Sequence, residues 1–273
     1  MKKVLITGSS GYIGSHLCQM MSGQYEIYGL DTVNPIIPVH DFYPVDIVGN
    51  FHIPQQFDAV IHLAAQVRVG EGESCPIRYY STNIQGTLNV LNRVATDNFI
   101  LASTGVASNP QNVYGMSKRA AEQVTTEFCN VHQPKNHTIF RFYNVLGSEC
   151  RDPTNPDGLM YNLVRARETS VFNLYGDDYS THDGTCIRDY VHVNEICHSL
   201  ITAVEQPSGG IENLGHGQGY SVKEIVEIFK TVNNCYFEIN VLPKRAGDLE
   251  VSVLNNPSPY MKKMYDITNL LKV

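Results

Sequence analysis

The chain has 273 residues, 42% hydrophobic and 17% charged, with a net charge of −7, enough for one large globular domain or a large and a small one. An acidic balance without a long basic run argues against nucleic-acid and membrane-surface partners, and no segment is apolar enough to span a bilayer. Seven cysteines (Cys18, Cys75, Cys129, Cys150, Cys186, Cys197, Cys235) show no paired spacing, so free thiols in a reducing, cytoplasmic compartment are expected.

Lys2–Thr7, "KKVLIT", is a short apolar run, too short before its glycines for a secretory leader and suited to a first strand. "GSSGYIGSHLCQMM" follows, with Gly8, Gly11 and Gly14 three apart and then a helical pattern through Leu17 and Met20. Strand, glycine turn and helix are the context that a dinucleotide fingerprint requires. Gly8 permits the tight turn, Gly11 lets the backbone approach a pyrophosphate, and Gly14 lets helix pack on strand. The diphosphate then meets the free N–H groups and dipole of the helix N-terminus. "YEIYGLD" predicts the next strand, ending at Asp31 about twenty residues past the turn. An acid there accepts from ribose hydroxyls and repels a 2′-phosphate, which favours NAD over NADP; alternatively it merely ends a strand.

Residues 32–57 read as loop plus a short strand, "FYPVDI", closed by Asp46 and Ile47 where an adenine would lie. "FDAVIHLAA" (57–65) is a buried parallel strand whose small last residues leave room for a cofactor. "PIRYYSTNIQGTLNVLNRVAT" (76–96) predicts one long helix, with Ile84, Leu88, Leu91 and Val94 at helical spacing and Asn83 as a polar contact. "FILAST" (99–104) is another buried strand. Its Ser103 and Thr104 can hydrogen-bond a substrate oxygen or cap the turn.

After the short loop "GVASNPQN" comes "NVYGMSKRAAEQV", which places Tyr114 four residues before Lys118 on one helix face. The spacing is common on solvated helices. Yet Tyr114 alone of sixteen tyrosines has it, and a cation beside a phenol favours the phenolate that a base needs. "HTIFRFYNVLG" (137–147) predicts a strand ended by Asn144. Alternation of strands and helices from an initial strand predicts an α/β fold, a Rossmann-like doubly wound parallel sheet over residues 1–147.

From residue 148 the chain changes to a loop, "SECRDPTNPDG", then a helix, "LMYNLVRARE". Two short strands around a polar turn are expected in "VFNLYGDDYSTHDGTCIRDYVHV", and "NEICHSLITAVE" reads as a helix capped by Asn194. Cys186, His192 and His198 suit a strand-and-helix core better than a metal site, and no metal is expected. "GIENLGHGQGYSVKEIVEIFK" predicts strand, glycine loop, and a helix with Ser221 and Glu224 as capping box. Residues 148–273 are expected to form a smaller α/β lobe closing over the cofactor, with residues about 186–204 packing back on the first domain.

Together "TGSSGYIG", Asp31, "VIHLAA", Asn83, "LAST", the Tyr114/Lys118 pair and "RFYNVLG" resemble the extended short-chain dehydrogenases, in the branch that modifies nucleotide sugars. "LYGDDYSTHDGTCIRDYVHV" and "PKRAGDL" resemble the UDP-glucose 4-epimerases of that family, and the resemblance runs nearly end to end. It implies an NAD site drawn from Gly8, Gly11, Tyr12, Ile13, Gly14, Asp31, Asp46, Ile47, Leu63, Ala64, Ala65, Asn83, Ser103, Tyr114, Lys118 and Tyr143. It implies that Tyr114 takes the proton of a UDP-sugar 4-hydroxyl, that Lys118 lowers its pKa and holds the nicotinamide ribose, and that Thr104 bonds the 4-oxygen. Asn144 and Arg188 would hold the diphosphate, Tyr175 would stack on uracil, and Arg245 with Asp248 would grip the nucleotide. A guanidinium fork suits phosphate oxygens; otherwise Arg188–Asp189 is a surface pair and Tyr175 ordinary core.

Three features depart from the family pattern. The loop from Thr104 to Tyr114 is short, Asp157-Gly158 stand where asparagines are common, and Ser252 stands where some members carry tyrosine. A small residue there would leave space for a 2-acetamido group, so N-acetylhexosamine nucleotides join UDP-glucose and UDP-galactose as expected substrates. Dehydratases and decarboxylases of the family need an acid just after the Ser/Thr, and "STGVAS" has none. Nothing points to the exchangeable NADPH of a reductase. A catalytically silent NAD-binding regulator tends to lack the tyrosine or lysine, and both are present. The helices 83–96 and 117–131 resemble the family's dimer-forming pair, with Ala120, Ala121 and Val124 suited to it, so a homodimer is expected.

Overall fold

The computed structural model describes residues 1–132, 134, 136–147, 155–245 and 247–273. The expected loop at 148–158 therefore lies mostly outside the described residues, as does Cys150. In chain order the first half runs β1 (Lys3–Thr7), α1 (Tyr12–Met21), β2 (Glu26–Asp31), β3 (Asp41–Pro44), β4 (Gln56–Phe57) and β5 (Ala59–His62). It continues with α2 (Val69–Ser74), α3 (Pro76–Tyr80), a π-helical turn (Ser81–Gln85), α4 (Gly86–Arg93), β6 (Ala95–Thr96) and β7 (Asn98–Thr104). A 3₁₀ turn (Gly105–Ser108), α5 (Val113–Val131), β8 (Asn136–Phe142) and β9 (Asn144–Leu146) follow. The second half holds α6 (Leu159–Thr169), β10 (Val171–Tyr175), β11 (Ile187–His192), α7 (Val193–Glu205), β12 (Gly210–Leu214) and β13 (Gly219–Ser221). It ends with α8 (Val222–Val232), β14 (Glu238–Leu242), β15 (Val251–Ser252) and α9 (Ile267–Leu270).

The chain divides into two units, Met1–Arg141 with Cys197–Glu212, and Phe142–Ile196 with Asn213–Val273. The border differs from the one expected after residue 147. The predicted strand 137–147 breaks at Tyr143: β8 joins the large sheet, whereas β9 pairs with β11 in the second unit. Of the segment 186–204, only Cys197 onward belongs to the first unit.

The large sheet has the order β12-β8-β7-β5-β1-β2-β3, and the pairings of β1 with β2, β1 with β5, β2 with β3 and β5 with β7 are parallel. The order reverses between β1 and β5, the switch point beside which doubly wound sheets hold ligands. β7 is buried along its whole length, as its nearly unbroken apolar run requires of an inner strand. On one side Leu5, Val60, Phe99 and Ile139 from the strands pack with Val90 of α4 and Ala121 of α5. Ala121 is thus core rather than the interface residue expected of it. The predicted helix 76–96 is also corrected: it passes through the π turn and ends at Arg93, and Ala95–Thr96 pair with β4 as a short strand.

Buried polar groups tie this unit together. Ala64 N–H donates to Thr7 Oγ1 (3.2 Å), and Thr7 Oγ1 meets His62 Nδ1 (2.7 Å). His62 Nε2 meets Thr87 Oγ1 (3.0 Å), which itself donates to the Asn83 carbonyl (2.7 Å). Since Thr87 gives its proton to Asn83, it accepts from His62, so Nε2 carries a proton; Thr7, whose oxygen already accepts from Ala64 N–H, has its own proton to give to Nδ1 of a neutral imidazole. Burial agrees, pushing the His62 pKa down to about 3, with the Lys118 charge adding to the effect.

In the second unit β11 is central, with β13 antiparallel and β15 and β9 parallel to it. β10 pairs instead with β14, so the two strands expected around one polar turn belong to different sheets. Leu163, Phe172, Tyr190, Ile225, Phe229 and Phe237 build the core. The predicted capping box opens α8: Ser221 accepts from Glu224 N–H and Glu224 from Ser221 N–H. α7 is capped differently from expectation. Asn194 lies inside its first turn, and His192 Nδ1 accepts Asn194 N–H (3.1 Å) while Glu195 Oε2 accepts His192 N–H (2.9 Å). No helix among the described residues is long and apolar enough to cross a membrane.

Candidate active site

The glycine turn after β1 is built by close approach. Gly8 has φ +73°, and a Cβ there would lie 2.8 Å from the Ala64 nitrogen. At Gly14 a Cβ would stand 2.1 Å from the Gly8 carbonyl oxygen, so this glycine packs helix against turn rather than against strand. α1 starts from Gly11 with no side-chain cap and no acid in its first turn. The dipole of this helix N-terminus therefore favours an anion there. Tyr12 and Ile13 open the helix half-buried, with Tyr12 edge-on to His16. Asp31 ends β2; its carboxylate accepts from Ser10 N–H (3.0 Å), Thr32 N–H (2.7 Å) and Val33 N–H (3.2 Å). A carboxylate has about four acceptor positions, so a ribose hydroxyl can still be served. The turn and Asp31 together fit a dinucleotide's diphosphate and ribose.

The remaining residues expected at the cofactor divide. Leu63, Ala64 and Ala65 follow β5 half-buried beside the glycine turn. Asp46 is exposed and accepts from Val48 N–H (2.9 Å). The Ile47 side chain is core, against Gly86, and its carbonyl accepts from Asn89 (2.8 Å). Asn83 is committed to the protein: it accepts from Gln66 N–H (2.8 Å) and donates to the Gln66 carbonyl (3.0 Å) and Ser117 Oγ (2.8 Å). Ser117 in turn donates to the Tyr114 carbonyl (2.8 Å), so Asn83 braces the turn that carries Tyr114. Ser103 gives its hydroxyl proton to Glu122 Oε1 (2.5 Å). Tyr143 lies in the second unit.

α5 brings Tyr114 and Lys118 to the end of β7. Asn112 caps the helix by accepting Gly115 N–H (2.8 Å), and Glu73 of α2 accepts Val113 N–H (2.9 Å). The short preceding loop is filled by the 3₁₀ turn, and a Cβ on Gly115 would meet Val106 of that turn at 2.8 Å. The Tyr114 side chain hydrogen-bonds Thr104. Burial pushes the phenol up to about 12, the Thr104 bond opposes, and Tyr79 adds to the rise. The lowering expected from Lys118 does not emerge: burial sets the direction, and only the Thr104 bond acts against it. Burial also brings Lys118 down to about 8, against the opposing pull of the Glu122 carboxylate.

Sequence reading missed Glu122. It is fully buried, with Oε1 accepting from Arg141 Nε (2.8 Å) and Ser103, and Oε2 from Arg141 Nη2 (2.6 Å). Its one visible signal is the four-residue step from Lys118.

The second unit gathers the other expected residues. Arg245 lies over the Tyr175 ring at 3.7 Å and donates to the Asp157 carbonyl (2.9 Å). Asp157 and Gly158, the departure from the family pattern, thus stand beside Arg245. Burial raises the Asp248 pKa against the opposing charges of Arg188 and Arg245. Ser252 is the register partner of Arg188 across β15 and β11. Asn144 of β9 donates to the Asp189 carbonyl (3.3 Å). Two guanidiniums, a carboxylate and an aromatic ring therefore belong to one cluster, whose charge and planes suit a nucleotide's phosphates and base.

The model of the NAD dependent epimerase/dehydratase family matches residues 4–215. The chain belongs to this family. Mouse UDP-glucose 4-epimerase is 29% identical, over 93% of this chain and 89% of that protein. Its alignment runs over 309 positions against a chain of 273 residues, so that family member carries internal segments missing here. The solved UDP-glucose-4-epimerase of Stenotrophomonas maltophila, with bound NAD and formylated UDP-arabinopyranose, superposes with a TM-score of 0.86 at 26% identity, covering 99% of this chain and 96% of that one. The UDP-Glc/GlcNAc 4-epimerase of Campylobacter jejuni gives a TM-score of 0.76 at 27% identity, covering 100% and 97%.

Proposed function

We propose that this family member is an NAD-dependent 4-epimerase of UDP-sugars that interconverts UDP-glucose and UDP-galactose and accepts their N-acetylhexosamine counterparts. The observation that carries the reading is Tyr114 hydrogen-bonded to Thr104, with Lys118 one turn on, in a unit whose glycine turn fits a dinucleotide. Thr104 fixes the phenol where a sugar 4-hydroxyl would be shared between the two oxygens. Tyr114 takes that proton and later returns it, so the protein ends each cycle as it began. NAD held by the Gly8–Gly11 turn and Asp31 would supply reversible hydride transfer at sugar C4. Lys118 adds a cation to the site. Arg188, Arg245, Asp248, Tyr175 and Asn144 hold the nucleotide, so the sugar can present either face while its anchor stays bound.

The half-buried Ser252 beside Arg188 supports the N-acetyl part of the reading, since a small side chain leaves volume for an acetamido group. We also take the protein to be a homodimer; light scattering at micromolar concentration showing a monomer overturns that. The decisive test incubates the protein with UDP-glucose, UDP-galactose and both N-acetyl forms and resolves the 4-epimers chromatographically. All four should epimerise, and turnover restricted to the non-acetylated pair removes the Ser252 argument. Tyr114→Phe should lower turnover by at least a thousandfold while NAD stays bound; retained activity sinks the mechanism.

A further inference from the structure

We propose that Glu122 is a positioning residue for the proton-transfer site: its carboxylate, clamped between Arg141 and Ser103 one helical turn beyond Lys118, sets the charge and place of the Lys118 ammonium. The geometry isolates the effect. Lys118 and Glu122 are both buried, 4% and 2% exposed, so their interaction is poorly screened. Glu122 cannot swing away, because Arg141 holds both its oxygens, at 2.8 and 2.6 Å, and Ser103 holds Oε1 at 2.5 Å. Ser103 adjoins Thr104, the Tyr114 partner, so one carboxylate ties β8, the end of β7 and α5 into a single frame. Arg119 approaches Oε2 at only 3.9 Å and is half-exposed.

Among the described residues, the other titratable groups around this frame do not supply the missing negative charge. His62 from β5 is neutral, for the hydrogen-bonding reasons given above, and Tyr114 on the same helix is a phenol with a raised pKa. Arg141 from β8 is itself a cation. Glu122 is therefore the anion that keeps Lys118 protonated at neutral pH in a site whose burial works against it. The consequence for turnover rests on the epimerase reading; the protonation of Lys118 does not.

The test is a titration of Lys118 by competitive acylation followed by peptide mass spectrometry, read on the full chain across pH 6–10 in the wild-type protein and two variants. Wild-type Lys118 should titrate near 8. A value of about 6 or below, which burial without a facing anion produces, would overturn the proposal without any variant. Glu122→Gln should shift Lys118 down by about two units, making its labelling at pH 7.5 about fourfold faster. Arg141→Gln frees the carboxylate toward Lys118 and should shift it up, making labelling severalfold slower. Should Glu122→Gln fail to fold, the wild-type value and Arg141→Gln still decide. Opposite shifts support the clamp; folded variants with unchanged Lys118 titration refute it. If the pH profile of sugar turnover moves with the Lys118 shift, both readings stand. If no UDP-sugar is turned over, the epimerase reading falls while the labelling still judges the clamp.

Discussion

At the scale of single residues, the site places a cation where folding alone would not. Lys118 is held near 8 by burial, against an ordinary value of 10.5. The folded state therefore binds that proton more weakly than the unfolded chain does. The cost is complete below pH 8, fades as the folded lysine releases its proton, and vanishes above about 10.5. By the free energy of such a shift it amounts to about 3 kcal/mol. Lys118→Met should accordingly stabilise the protein in denaturant melts at pH 7 by that order, with the gain shrinking at pH 9.5, while turnover is lost. A variant destabilised at both pH values would mean that the ammonium makes contacts worth more than its burial. Tyr114 limits the experiment at high pH. Its folded value of about 12 means that the unfolded phenol ionises first, so stability falls above pH 10 and the comparison belongs below it.

At the scale of elements, what holds Tyr114 is the start of α5. Val113 is its first helical residue and Tyr114 its second, and two side chains satisfy N–H groups there, Asn112 on Gly115 and Glu73 on Val113. Asn112→Ala should cost about 1 kcal/mol of unfolding free energy. Glu73→Ala should cost about 0.5 kcal/mol, because its contact is exposed and water can replace it. Each should lower kcat more than it raises KM, since fraying displaces the phenol rather than the nucleotide anchor; a pure KM effect would place these caps elsewhere in the cycle.

The same elements show what could be read in advance. The glycine turn, the buried strands and the Ser221 capping box were legible because each is local: a backbone constraint, an apolar run, a three-residue reciprocity. The helical periodicity of 76–96 does not show where the helix ends, because Ala95 and Thr96 yield to pairing with a strand nearly forty residues earlier. Residue type alone points to Asn194 as the cap of α7, yet His192 caps it because Glu195 completes the reciprocal bond. Glu122 was invisible for a related reason. Its partners Ser103 and Arg141 come from two other strands, and nothing in the local pattern separates a buried carboxylate from the solvated acids of most helix faces.

At the scale of the whole molecule, the two units carry different titrating groups, and acid should act on them in sequence. In the first unit burial lowers the pKa of His62 to about 3, and that of His137 as well. An unfolded histidine takes a proton near 6.5 and the folded one does not, so this unit loses stability as pH falls from 6.5 toward 3. In the second unit burial acts to raise Glu195 and Asp183, but their hydrogen bonds win and hold both below the usual carboxylate range. Glu195 is held by His216 and by backbone N–H groups that include Met264, and Asp183 by Ser221 and Thr185. Their stabilisation is full above the unfolded carboxylate value and is lost only as pH drops below about 4.5. Asp248, raised by burial, works the other way and softens that loss. Hydrogen-exchange mass spectrometry on the full chain, with the pH stepped down before a common labelling pulse, should therefore show protection falling first in β1, β5 and α4 from pH 6.5. Protection in β11, α8 and the Met264–Tyr265 segment should hold until below 4.5. Because Glu195 Oε1 accepts both Met264 N–H (2.6 Å) and Tyr265 N–H (3.1 Å), that segment should be the first part of its unit to open. Simultaneous loss of protection across both sets of peptides would mean that the units unfold as one cooperative body whose acid limit is set by a single group.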